Sequence, residues 1–114
     1  MSSTGWYGVD LDGTLAVNIP GQSMWEIGDP IKPMVDRARQ HIAAGDDIRI
    51  FTARVSDPNP IVNARQKLLI RDWCVRHLGV ALPITNQKDY KCVCIYDDRA
   101  RQVEVNTGRI IGEE

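Results

Sequence analysis

Several features are missing from this chain of 114 residues, and each absence narrows what it can do. No apolar run approaches the ~20 residues needed to cross a bilayer, so no membrane partner is expected. Neither sign of charge dominates: 14 Lys and Arg stand against 15 Asp and Glu, for a net charge of -1. That removes any global electrostatic case for nucleic acid, although a local patch stays open. The opening MSSTG lacks a basic stretch followed by an apolar one, so no secretory signal is read and a cytoplasmic location is expected. Cysteine is scarce: Cys74, Cys92 and Cys94, an odd number that fits a reducing compartment. Cys92 and Cys94 are expected to share one strand face. With no second Cys/His pair nearby, buried apolar thiols are a better reading than a zinc site. Internal repeats and low-complexity segments are also absent, and residues 1-114 read as a single domain.

What is present alternates between strand-like and helix-like segments, which points to α/β architecture. A first strand is expected over Trp6 to Asp10, followed by a loop or flap from Ala16 to Gly28 that contains Pro20, Gly21 and Gly28. A helix follows, with Asp29 as its cap and Pro30 in its first turn. Ile31, Met34, Val35, Ala38 and Ile42 fall on one face, and Gly45 is the stop. A second strand covers Asp47 to Phe51. A second helix runs from Pro60 to His77, with Ile61, Leu68, Leu69, Trp73 and Leu78 toward the core. Strands at Ala81 to Thr85 and Val93 to Tyr96 follow, and the tail around Asn106-Thr107-Gly108 reads as a β-hairpin.

Four polar stations fall just after these strands: Asp10 and Asp12, Thr52, Lys88, and Asp97 with Asp98. In a parallel sheet the carboxyl ends of the strands lie on one edge, where open α/β sheets bind ligands. Clustered carboxylates repel unless a cation or a shared proton lies between them. Carboxylates suit a hard divalent ion, and threonine and lysine suit phosphate oxygens. An aspartate in line with a phosphoryl group can attack phosphorus and form a covalent intermediate.

The segment YGVDLDGTL resembles the first motif of the haloacid dehalogenase superfamily, a hydrophobic strand followed by Asp-x-Asp-Gly-Thr. IRIFTAR with Thr52, Lys88 in TNQKD, and IYDDRA with Asp97 and Asp98 resemble its later motifs in order. The likeness covers residues 6 to 101. It implies a three-layer Rossmann-like domain and a Mg²⁺-dependent phosphatase working through an aspartyl-phosphate. Asp10 would be nucleophile and metal ligand. Asp12 would be general acid and then base, with its carbonyl on Mg²⁺. Thr52 and Lys88, the latter preferred over Lys91, would hold the phosphoryl group. Asp98, with Asp97 beside it, would complete the metal site, and Thr14, Arg54 and Arg99 would contact substrate.

Members of the family usually carry a cap domain, and neither gap between motifs here is long enough for one. The likeness is therefore to the capless branch, whose open sites take a macromolecular substrate or are closed by a neighbouring subunit in a homo-oligomer. The expected substrate is a nucleotide, a nucleic-acid end phosphate or a small phosphomonoester. An inactive scaffold of the same fold is one alternative. A receiver-like phosphoacceptor module is another, and motif order counts against it, because the acidic pairs follow the first and last strands. His41 and His77 are assigned to helix surfaces, Trp73 to the core, and Trp25 either to packing or to stacking on a substrate ring.

Overall fold

Val9, Ile48 and Ile50 are almost wholly buried and come from two strands that lie side by side, β1 (Trp6–Val9) and β2 (Asp47–Phe51). The computed structural model describes residues 4–113, so residues 1–3 of the MSSTG start lie outside the described residues. Strands β3 (Ile84–Thr85) and β4 (Cys92–Tyr96) complete a sheet of 4 strands in the order β3-β2-β1-β4. All three pairings are parallel. The fold is thus α/β, with the carboxyl ends of all its strands on one edge. The expected third strand is shorter than predicted, because Pro83 offers only its carbonyl, which accepts from Ile50.

Two helices connect these strands. Helix α1 (Lys32–Ala43) begins later than predicted: Ile31 takes the cap position without a side-chain cap, and Pro33 sits in the first turn. The reason is local. Val17 N–H donates to the Asp29 carbonyl and Ile31 N–H to the Leu15 carbonyl, both at 2.8 Å, so residues 29–31 are held extended. Helix α2 (Pro60–Leu78) matches the expected span to within one residue; the Asn59 side chain caps it by accepting from Ile61 N–H, and Gly79 follows in the left-handed region at φ 83°. Its buried face is a correction. Ile61 and Leu68 are 64% and 62% exposed, whereas Gln66, Ile70, Trp73, Cys74 and Leu78 face inward. Apolar residues circle this helix, so periodicity alone does not select a face.

Both helices contribute to one core with Val9, Ile48 and Ile50, through Val35 and Ala38 of α1 and Ile70, Trp73 and Leu78 of α2. They therefore lie on the same side of the sheet, as successive right-handed crossovers in one direction require. Full burial of such a side chain contributes ~1.5–3 kcal/mol, so this side dominates stability. On the other side Trp6 lies over Gly8, against Phe51 and under the Arg49 guanidinium, and no helix covers it among the described residues. A register shift between Trp6 and Tyr7 pairs Cys92 and Cys94 with residues of opposite faces. Cys94 is exposed on the edge strand, so of the three thiols only Cys74 is fully buried. In the tail, Val103 and Ile110 form an isolated antiparallel bridge, the one β-pairing of residues 99–113. No helix is long and apolar enough to cross a membrane.

Candidate active site

The turn after β1 positions the first acids. The Leu11 carbonyl accepts from Leu15 and Ala16 N–H, each at 2.9 Å, and Gly13 N–H donates to the Ala16 carbonyl at 2.8 Å. Leu11 and Leu15 are fully buried and pin the turn to the core. Gly13 has φ 89°, and a Cβ there would lie 2.6 Å from Asp98 Oδ2. Glycine is needed both for the backbone angle and for this approach. Thr14 fastens the two acidic turns together. Its Oγ1 donates to Asp98 Oδ1 at 2.9 Å and accepts from Asp98 N–H at 2.9 Å.

Asp10, Asp97 and Asp98 consequently converge, each offering a carboxylate oxygen within 4.8 Å of the others. Burial, the Asp98 carboxylate against it and the charges of Asp97 and Asp98 push Asp10 up from 3.8 to about 7. Asp98 is held below the ordinary carboxylate range, chiefly by the hydrogen bond from Thr14. One proton shared between Asp10 and Asp98 accounts for both directions. Three hard oxygen donors with unbalanced negative charge are a donor set that fits a divalent cation.

Asp12 meets the opposite surroundings. Arg54 donates to it twice, Nε to Oδ2 at 2.7 Å and Nη2 to Oδ1 at 2.9 Å. The same guanidinium reaches the Met24 carbonyl at 2.7 Å, the Glu26 carbonyl at 2.6 Å and Gln66 Oε1 at 3.1 Å. Those bonds use all five of its N–H groups. The expectation that Arg54 reaches for substrate therefore meets a guanidinium already committed within the fold.

A cavity of about 740 Å³ opens between these two groups. Its lining includes Asp10, Asp12, Thr52, Asp97, Asp98 and Arg99, with Asn18, Gln22, Ser23 and Met24 of the flap on the outer wall. Thr52, 3% exposed, accepts from Arg54 N–H at 3.1 Å and donates no hydrogen bond among the described residues, which leaves its O–H for a ligand. Arg99 N–H donates to Asp97 Oδ1, and its guanidinium has no hydrogen-bond partner among the described residues. Lys88 and Thr14 do not line the cavity. Lys88 is exposed on the loop that runs to the amino end of β4, where its charge acts on Cys92. Lys91 is at that end too, its carbonyl accepting from Trp6.

Sequence reasoning missed Gln66, whose role depends on a partner far away in the chain. It also placed His41 on a surface, and the structure corrects this. The His41 ring lies between Asp46 Oδ2 at 2.8 Å and the Tyr96 hydroxyl at 3.0 Å, tilted by 36° against the Tyr7 ring with centroids 4.4 Å apart. The unpaired polar appearance of a histidine near the end of α1 gave no hint of this pocket. His77 stays half-buried, beside Trp73 at 4.6 Å. Compared with family models, curated proteins and solved structures, the chain matches none.

Proposed function

We propose that this chain is a Mg²⁺-dependent phosphomonoester hydrolase that works through an aspartyl-phosphate on Asp10. The observation that carries the reading is the meeting of Asp10, Asp97 and Asp98 on the carboxyl edge, on the wall of a cavity that also presents Thr52 and Arg99. Asp10, Asp97 and Asp98 would hold the Mg²⁺, which when bound supplies neutralising charge to the carboxylates and to the phosphoryl oxygens. The Asp10 carboxylate attacks phosphorus and the bond to the leaving oxygen breaks. Asp12 gives that oxygen a proton, and then takes one from the water that cleaves the acyl-phosphate and restores Asp10. Thr52 and Arg99 hold phosphoryl oxygens. Arg99 takes the place expected of Lys88, since no lysine lines the cavity.

Under this reading the chain is a pared-down cytoplasmic version of the three-layer plan, with Trp6, Phe51 and Arg49 in place of a second helical layer and the tail as a short hairpin. The open cavity suits a nucleotide, an oligonucleotide end or a small phosphomonoester, or is closed by a second subunit. A phosphate-release screen with Mg²⁺ tests this, using p-nitrophenyl phosphate, nucleoside monophosphates, sugar phosphates and 3′- and 5′-phosphorylated oligonucleotides. Mg²⁺-dependent release from at least one class, abolished by EDTA, is the expected result. Release no greater than that of an enzyme-free blank for every class would overturn the assignment and leave an inactive scaffold, and release that persists in EDTA would overturn the metal mechanism.

A further inference from the structure

Gln66 is 1% exposed and lies on the inward face of α2 beside Ile70 and Trp73, where an apolar residue is the usual occupant. An amide buried there is costly unless its hydrogen bonds are made. Both ends are used: Nε2 donates to the Met24 carbonyl at 2.7 Å, and Oε1 accepts from Arg54 Nη1 at 3.1 Å. Arg54 in turn holds the Glu26 carbonyl and both oxygens of Asp12. A third tie comes from Trp73, whose indole N–H donates to the Gly28 carbonyl at 3.0 Å. The flap thus rests on α2 and on Arg54 through its own backbone carbonyls. Side chains at its tip carry none of these bonds.

We infer that Arg54 and Gln66 are positioning residues that join the flap and the Asp12 carboxylate into one rigid unit, so that the flap wall selects the leaving group that Asp12 serves. The inference rests on the phosphatase reading for its kinetic part alone. Its physical basis is the shape of guanidinium. Five N–H donors in a planar fork can span a carboxylate, two carbonyls and an amide at once, which a lysine ammonium cannot do. The flap wall facing the leaving group is neutral, formed by Asn18, Gln22, Ser23 and Met24. Leaving groups that offer hydrogen-bonding edges and apolar surface, as a nucleoside does, are the chemical class this wall fits.

The test combines hydrogen exchange with steady-state kinetics on the full chain carrying Gln66→Leu, Gln66→Glu or Arg54→Lys. Amides of residues 17–28 should exchange ~10-fold faster in Gln66→Leu and Arg54→Lys, the scale of losing a buried hydrogen bond, with the sheet and α2 unchanged. In both variants kcat should fall ~10-fold for p-nitrophenyl phosphate and for a nucleoside monophosphate, while KM rises only for the nucleotide. Gln66→Glu keeps the acceptor for Arg54 and loses the donor to Met24, so its flap should loosen with a smaller loss of kcat. Unchanged flap exchange overturns the clamp. Faster flap exchange with kcat and KM both intact overturns the link to Asp12. Faster exchange throughout the sheet, in Gln66→Glu as well as in Gln66→Leu, shows a fold determinant instead and also overturns the inference. Absence of phosphatase activity in the wild type would remove the phosphatase reading, while the exchange result would still decide the clamp.

Discussion

Asp10 and Asp12 leave the same turn two residues apart, yet their carboxylates face opposite surroundings. Asp10 stands half-buried among like charges, and burial first, then the Asp98 hydrogen bond and the charges of Asp97 and Asp98, raise its affinity for a proton. Asp12 is gripped by both nitrogens of one edge of Arg54, in an ion pair whose arginine side chain is 11% exposed. The first arrangement is unfavourable to the folded chain alone, and a bound cation would relieve it. The second is complete without a ligand. Under the proposed function the unbalanced group would take the cation and supply the nucleophile, and the arginine pair would fix the direction in which the Asp12 carboxyl serves the leaving oxygen. The Asp12–Arg54 pair is partly buried, and desolvation offsets much of its attraction.

The sharpest way to break this contrast is to neutralise one acid of the unbalanced group. Asp10→Asn should lose at least ~10³-fold in phosphate release, because an interaction made in the transition state is gone. The same variant should melt higher than the wild type in EDTA at pH 8, since a repelling charge has left. A variant that kept its turnover would show that the nucleophile lies elsewhere.

A smaller effect is expected from spacing. Gly13→Ala puts a Cβ against Asp98 Oδ2 at a residue with φ 89°, and should cost ~1–3 kcal/mol in urea unfolding. Gly21→Ala, at φ 82° on the flap with open space around it, carries the backbone strain without the collision and should cost less. Equal losses would mean that the two acidic turns are not closely packed.

The mildest test is pH. Asp10 rises from 3.8 to about 7 on folding, so between those values the native state binds the extra proton. Stability from this group is present at low pH, falls as pH rises through the window, and stays lost above about 7. In EDTA the melting temperature should therefore be a few degrees lower at pH 8 than at pH 5.5, a shift of the size that ~1 kcal/mol produces. Mg²⁺ at pH 8 should close that gap, and Asp10→Asn should not show it. A gap unchanged in Asp10→Asn would assign the titration to another group.

Much of the framework was legible because it depends on neighbours in the chain. Pro60 opens α2 as expected and the helix ends at Leu78, one residue past the expected His77 and just before Gly79, and Asp10, Thr52 and Asp97 stand at strand ends as their β-prone runs implied. The miss at α1 has a tertiary cause, because Asp29 spends its carbonyl on Val17 across the base of the flap. Lys88 was expected at the carboxyl edge because its polar loop follows a strand-like run and fits the motif order. The loop that holds it must travel from the β3 edge of the sheet to the β4 edge, and it carries the lysine away from the cavity.

By itself, then, the sequence determined the α/β alternation, the ends of α2 and the identity of the acids, all of them consequences of backbone preference and spacing over a few residues. Only the tertiary structure decided which side of α2 is buried, that Arg54 serves the flap and Asp12, and that Gln66 and His41 are interior groups with paired polar atoms. The physical reason is distance along the chain. Gln66 and Met24 are separated by 42 residues, and His41 and Tyr96 by 55, so no local pattern records that they meet. Their meeting follows from the order β3-β2-β1-β4 and from both crossovers placing their helices on one face.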